Sequence, residues 1–182
     1  PAWKNPLDMW VYQEILYEVK PDIIIEAGTN MGASALFLAH MCDIIGKGKI
    51  LTIDIEEFPS RPRHERIHYF VGSSVDENSV AKMKEHIKPG NVVLVILDSN
   101  HRRNHVAKEL EAYASIVTPG SYLIVEDTYL NGHPVYCSFG PGPFEAVRSF
   151  LKKHSEFEVD ASREKYYMTW NPNGYLKKKK TI

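Results

Sequence analysis

The chain has 182 residues, a length that suits one globular domain (1–182) with a sizeable core. Hydrophobic residues make up 43% and charged residues 25%, and the formal net charge is -1. That balance gives no reason to expect nucleic acid or an anionic membrane as a partner. The two cysteines, Cys42 and Cys137, read as free thiols in a reducing compartment. No signal peptide is visible and no apolar run is long enough to span a bilayer, so a cytoplasmic location is expected. The first residue is Pro1 and not Met, which leaves room for residues upstream.

Asn5-Pro6 reads as a helix start, and Leu7, Trp10, Val11, Ile15 and Val19 follow at helical spacing until Pro21. "DIIIEAG" is a buried strand, because its apolar run is continuous and not alternating. Gly32 to Ile45 reads as a helix stopped by Gly46 and Gly48, "KILTIDI" as the second strand and "HYFVGSS" as the third. Asp76 to Ile87 fits a helix, "NVVLVILDSN" a strand, Arg102 to Val117 a helix and "SYLIVEDT" another strand. A loop rich in Gly and Pro follows from Tyr129 to Pro143, then a helix from Phe144 to His154. "FEVD" and "KYYMTWN" are expected to pair as an antiparallel hairpin at the sheet edge, and "LKKKK" to be a solvated tail. The alternation of strand and helix predicts an α/β fold of the Rossmann-like, doubly wound kind, its sheet mostly parallel with helices on both faces.

In such sheets ligands bind beyond the carboxyl ends of the strands. The first strand delivers Glu26, Gly28 and Asn30 there, the second Asp54, and the third Ser73 and Ser74. The "VILDSNH" strand delivers Asp98 and His101, and "LIVEDT" delivers Glu126 and Asp127. "GTNMG" is neither GxGxxG nor a P-loop, yet Gly28 and Gly32 let backbone approach a ligand closely. Glu26 repels a pyrophosphate and suits a ligand with cationic or hydroxyl groups. Asp54 is placed to accept from ribose hydroxyls. S-adenosylmethionine (SAM) has all these parts. Asp98, Glu126 and Asp127 offer hard oxygen ligands suited to Mg²⁺ or another divalent cation. His101, three residues beyond Asp98, has the unperturbed pKa of a base near neutrality. The other histidines, His105 among them, read as surface or satisfied core residues, with His133 an outside candidate.

"DMWVYQEILYEVKPDIIIEAGTNMGASALFLA", "ILDSNHRRNHVAKELEAYASIVTPGSYLIVEDT", "GPGPFEAV" and "NPNGYLK" resemble the cephalosporin hydroxylase / rhamnosyl O-methyltransferase family. The resemblance implies a class I SAM-dependent methyltransferase with a sheet of roughly seven strands. By motif, Glu26, Gly28, Thr29, Asn30, Gly32 and Ser34 fall in the SAM methionine site, Asp54 at the ribose and Ser73 near the adenine. Asp98 borders both ligands and, with Glu126 and Asp127, falls in the Mg²⁺ set, while His101 stands where the related enzymes carry a base. The chain reads "DSNH", "GSS" and "VEDT" where the family commonly reads "DSDH", "GDS" and "VQDT".

The expected reaction is O-methyl transfer to a hydroxyl of a small molecule, a sugar or a hydroxylated natural product, with the loop from Tyr129 closing over the acceptor. An NAD-dependent oxidoreductase is the rival suggested by Asp54, against which the absent GxGxxG counts. A SAM-binding or hydroxylase-labelled member without methyl transfer is the other. The sequence leaves monomer and homo-oligomer both open.

Overall fold

The computed structural model describes residues 3–180. Helix α1 (Pro6–Val19) begins where Asn5 Oδ1 accepts the Leu7 amide at 3.0 Å and Pro6 takes the first turn. It ends at Lys20, left-handed with φ 48°, one residue before Pro21. Then follow β1 (Ile23–Ala27), α2 (Ala33–Ile45), β2 (Lys49–Asp54), β3 (Ile67–Val71), α3 (Glu77–Lys84) and β4 (Val93–Leu97). The second half adds α4 (Arg103–Ala114), β5 (Tyr122–Val125), α5 (Pro143–Leu151), β6 (Phe157–Val159) and β7 (Tyr175–Lys178). Helices α3, α4 and α5 stop about a turn before the apolar pattern does. There the amides of Ile87, Ile116 and Lys153 bond three residues back, to Lys84, Tyr113 and Phe150, which tightens the last turn.

The strands form one seven-stranded sheet in the order β3-β2-β1-β4-β5-β7-β6. Neighbours from β3 to β5 are parallel, and β7 runs antiparallel to both β5 and β6. Two expectations are corrected here. "FEVD" does pair antiparallel at the edge, but with Tyr175–Lys178, whereas "KYYMTWN" carries no strand. Leu176 to Lys178 are therefore sheet and not a solvated tail. The lysines are accommodated because Lys178 Nζ reaches the Ala114 and Val117 carbonyls at the end of α4, both at 2.9 Å. A cation there also suits the negative pole of that helix.

Side chains alternate between two cores, as the two-residue period of a strand requires. Ile25, Leu51, Val95, Leu97, Leu123 and Val125 pack with α3, α4 and α5. Ile24, Ile50, Leu94, Ile96 and Ile124 pack with α1 and α2. Strand order reverses between β1 and β4, so the crevice for a ligand lies where those two strands end. The same alternation carries Glu26, Asp98 and Glu126, each two positions after an isoleucine of the second core, onto the α1/α2 face. Leu97 pairs with Val125, and one residue further Asp98 and Glu126 stand side by side, with the Glu126 amide on the Leu97 carbonyl at 3.0 Å.

Candidate active site

A cavity of about 900 Å³ opens at this crevice. Among its walls are Gly28, Thr29, Asn30, Ser34, Asp54, Ser73, Asp98, His101 and Asp127, residues that the sequence assigned to one site from five separate segments. Gly28 explains how β1 and β4 can meet there. Its φ is +98°, and a Cβ would fall 1.9 Å from the Asp98 carbonyl oxygen. Only glycine allows both the conformation and the approach. Gly32, at φ +76°, heads α2 and gives that helix its entry, but it stands behind the wall.

At the β1–β2 end, Asp54 Oδ2 accepts the Asn30 amide at 2.7 Å and Oδ1 accepts the Glu56 amide at 3.1 Å. Arg61 secures the turn: its Nε donates to the Asn30 carbonyl at 2.8 Å and a second nitrogen lies 4.0 Å from Asp54. Glu26 lies deeper and is fully buried. Its Oε2 accepts from Thr52 at 2.6 Å, and Thr52 in turn meets Thr29 at 2.7 Å. Its Oε1 is buried without a hydrogen-bond partner among the described residues. Burial pushes the Glu26 pKa up, and the nearby Lys4 ammonium and the Ser34 and Thr52 hydroxyls oppose that rise. An orphaned buried carboxylate oxygen is costly unless something satisfies it.

At the β4–β5 end the acids converge. His101 Nε2 is 3.2 Å from Asp98 Oδ1 and 3.2 Å from Asp127 Oδ2. The ligand atoms of Asp98, His101 and Asp127 lie within 4.8 Å of one another, a spacing that suits a metal ion. Asp127 reaches this trio because its backbone turns left-handed, φ 57°, while Asn171 Oδ1 holds its amide at 3.1 Å. Glu126 still points along the strand alternation, away from the trio. Its Oε1 accepts from Tyr12 at 2.6 Å and from the Lys4 ammonium. Lys4 also donates to Asp98 Oδ2 at 2.5 Å, so Asp98 is gripped on one side by Lys4 and on the other by His101.

Burial works to raise the Asp98 pKa, but Lys4 and His101 hold it below the usual range. Glu126 is pushed up, first by burial and then by the Asp98 charge. Asp127 is raised by burial, against the pull of His101. For His101, burial lowers the pKa, yet Asp98 and Asp127 outweigh it and raise it.

Lys4, Tyr12, Thr52, Arg61 and Asn171 were not found by sequence reasoning, and neither was His105. His105 lines the cavity, 3.1 Å from Ser74 Oγ and 3.3 Å from Ser99 Oγ, and both hydroxyls donate to the fully buried Glu109. The HxxxE spacing on α4 is the one signal that could have revealed it. His133 stacks on Phe144 at 3.7 Å and meets Glu145 at 2.9 Å, outside the cavity wall. Of the loop from Tyr129 to Pro143, Tyr129 contributes to the wall. It stacks on Trp170, with ring centroids 5.5 Å apart and planes at 14°, and Trp170 and Trp3 also line the cavity.

A family model described as Rhamnosyl O-methyltransferase/CmcI matches residues 1–179. The chain belongs to the rhamnosyl O-methyltransferase/CmcI family. Two relatives, both named rhamnosyl O-methyltransferase, come from Mycobacterium tuberculosis (strain ATCC 25618 / H37Rv) and Mycobacterium leprae (strain TN). The first is 41% identical, over 96% of this chain and 74% of its own length. The second is 38% identical, over 97% of this chain and 80% of its own length. Among solved structures, an apo form of CmcI-N160 matches with TM-score 0.74 and 22% identity, over 99% of this chain and 74% of its own. CmcI-D160 with Mg and SAM matches with TM-score 0.70 and 20% identity, over 97% and 73%. These likenesses share the fold: a mostly parallel, seven-stranded Rossmann-like sheet with helices. Membership in the rhamnosyl O-methyltransferase/CmcI family agrees with the expectation of an O-methyltransferase and sets aside the NAD-dependent oxidoreductase. No helix among the described residues is long and apolar enough to cross a membrane.

Proposed function

We propose that the chain transfers a methyl group from SAM to a hydroxyl of a small glycosidic acceptor, with a divalent cation, Mg²⁺ by preference, at the acid end of the cavity. The observation that carries this reading is the convergence of Asp98, His101 and Asp127 beside the Gly28 turn in one cavity. The residues fit both groups. The unpartnered Glu26 Oε1 and the Asp54 carboxylate offer acceptors to the amino and ribose parts of SAM, and the Gly28 turn leaves room for its chain. Thr29, Asn30, Ser34 and Ser73 supply the remaining polar wall. Asp98 and Asp127 would hold the cation, and Glu126 stands next to them as a third carboxylate.

A divalent cation held there supplies the charge that lowers the pKa of an acceptor hydroxyl. His101 is the base: its Nε2–H donates to the Asp98 and Asp127 carboxylates, the ring's other nitrogen takes the hydroxyl proton, and the two carboxylates then stabilise the imidazolium that forms. Tyr129 and Trp170 present a stacked aromatic wall beside Asp127, a surface on which the apolar face of a sugar ring packs. The relatives named rhamnosyl O-methyltransferase support a deoxysugar as the first acceptor to try.

The test is a labelled-methyl assay with SAM across rhamnosides and other polyhydroxylated acceptors, with and without EDTA. Turnover on a sugar hydroxyl that falls on chelation and returns with Mg²⁺ is expected. Turnover indifferent to chelation removes the cation from the reading. SAM binding by calorimetry without transfer to any acceptor points instead to a binding protein.

A further inference from the structure

The acid end is crowded with like charge. Glu26, Asp98 and Glu126 share one sheet face, and Asp127 turns in beside them. Among the described residues, one ammonium, Lys4, and one imidazole, His101, stand against these four carboxylates. Buried carboxylates at this density demand cations. Lys4 meets part of that demand from the segment just before α1. Its side chain is only 6% exposed, and it joins Asp98 Oδ2 to Glu126 Oε1.

That position matters because Asp98 and Glu126 are also two of the carboxylates that the cation reading assigns to metal. A carboxylate oxygen that accepts from an ammonium is not free to bind a second cation. We propose that Lys4 is a positioning residue, an internal counter-cation that competes with a divalent ion for the Asp98–Glu126 pair and yields that pair when the ion binds. Lys4 thereby sets the metal affinity of the site. It also ties metal entry to the cavity wall, since Trp3 and Lys4, neighbours in the chain, both line the cavity. Glu126 then has two roles. With Lys4 in place it is an ion-pair partner, leaving Asp98 Oδ1, His101 and Asp127 as the gathered set. With Lys4 withdrawn its carboxylate is released to turn from the α1 side toward the ion.

The inference rests on the cation reading above, and calorimetric titration with Mg²⁺ separates the two. Wild type and Lys4→Met are titrated without SAM or acceptor and melted with and without Mg²⁺. Lys4→Met is expected to bind Mg²⁺ at least about tenfold more tightly, as removal of a unit charge a few ångströms away implies. Without Mg²⁺ it melts lower than wild type, because two buried carboxylates lose their partner, and Mg²⁺ restores it more than it raises wild type. A measurement on wild type alone covers the case in which Lys4→Met fails to fold. Saturating Mg²⁺ is expected to raise amide hydrogen exchange in the peptide around Lys4 and Asn5, as the segment lets go. Equal or weaker Mg²⁺ binding by Lys4→Met, or unchanged exchange in that peptide, overturns the role of Lys4 and leaves the cation site standing. Failure of both proteins to bind Mg²⁺ overturns both readings.

Discussion

The two ends of the cavity are built by opposite means. At the β1–β2 end the backbone does most of the shaping: the Gly28 turn, the left-handed Asn30 at φ 46° and amides that anchor Asp54. At the β4–β5 end side chains do the shaping, in a chain of contacts from Tyr12 through Glu126, Lys4, Asp98 and His101 to Asp127. The first end is local to sequence and neutralised largely by amides. The second is assembled from distant segments and neutralised by other charges. On the proposed reading, the difference teaches that the nucleoside of SAM is met by a preset backbone, whereas the reacting oxygen is met by groups whose protonation depends on one another.

The contrast is broken most severely at the acid end. His101→Ala is expected to lower kcat by about 10²–10⁴ while SAM affinity, set at the other end, stays near wild type. Single-turnover kinetics beside SAM calorimetry checks this, and a large loss of SAM affinity would mean the two ends are not separable. Asp54→Ala should do the reverse. SAM dissociation rises about ten- to a hundredfold, as loss of charge-assisted hydrogen bonds predicts, with kcat at saturating SAM little changed.

The smallest effect sharpens the comparison from outside the cavity. Burial alone would raise the Glu145 pKa, but hydrogen bonds from the Gly142 amide, His133 and Asn131 hold it at about 2. The folded pKa lies below the ordinary 4.5, so this group stabilises the fold above about pH 4.5 and loses that contribution as pH falls toward 2. Glu145→Gln is expected to melt about 2–4 °C lower at pH 7 and to show a flatter acid limb, with methyl transfer unaffected. Thermal melts across that pH range read it directly.

The first end was legible in the sequence and the second only in part. Continuous apolar runs marked β1, β2, β4 and β5, and the residues after each run fell where the sheet's geometry sends them. Gly28, Asp54, Asp98 and Asp127 followed from that alone. Lys4 did not, because its partners lie 94 and 122 residues away and nothing local marks a lysine before a helix as buried. The direction of Glu126 was half visible: adjacent acids on a strand must diverge, but which of them turns depends on the Asn171 contact to Asp127. Strand β7 was hidden by its own lysines, whose ammonium groups find carbonyls at the end of α4. The Tyr129–Trp170 wall was hidden for the same reason as Lys4, since it joins residues brought together by tertiary packing.

Because β7 slots between β5 and β6, the edge of β5 stays open during synthesis until residues near 175–178 leave the ribosome. Asn171, which fixes the turn of Asp127, arrives in that same late stretch. A nascent chain can therefore complete the β1–β2 end of the cavity early, yet it fixes the turn of Asp127 only as β7 arrives, and in the interval it exposes an unpaired strand edge.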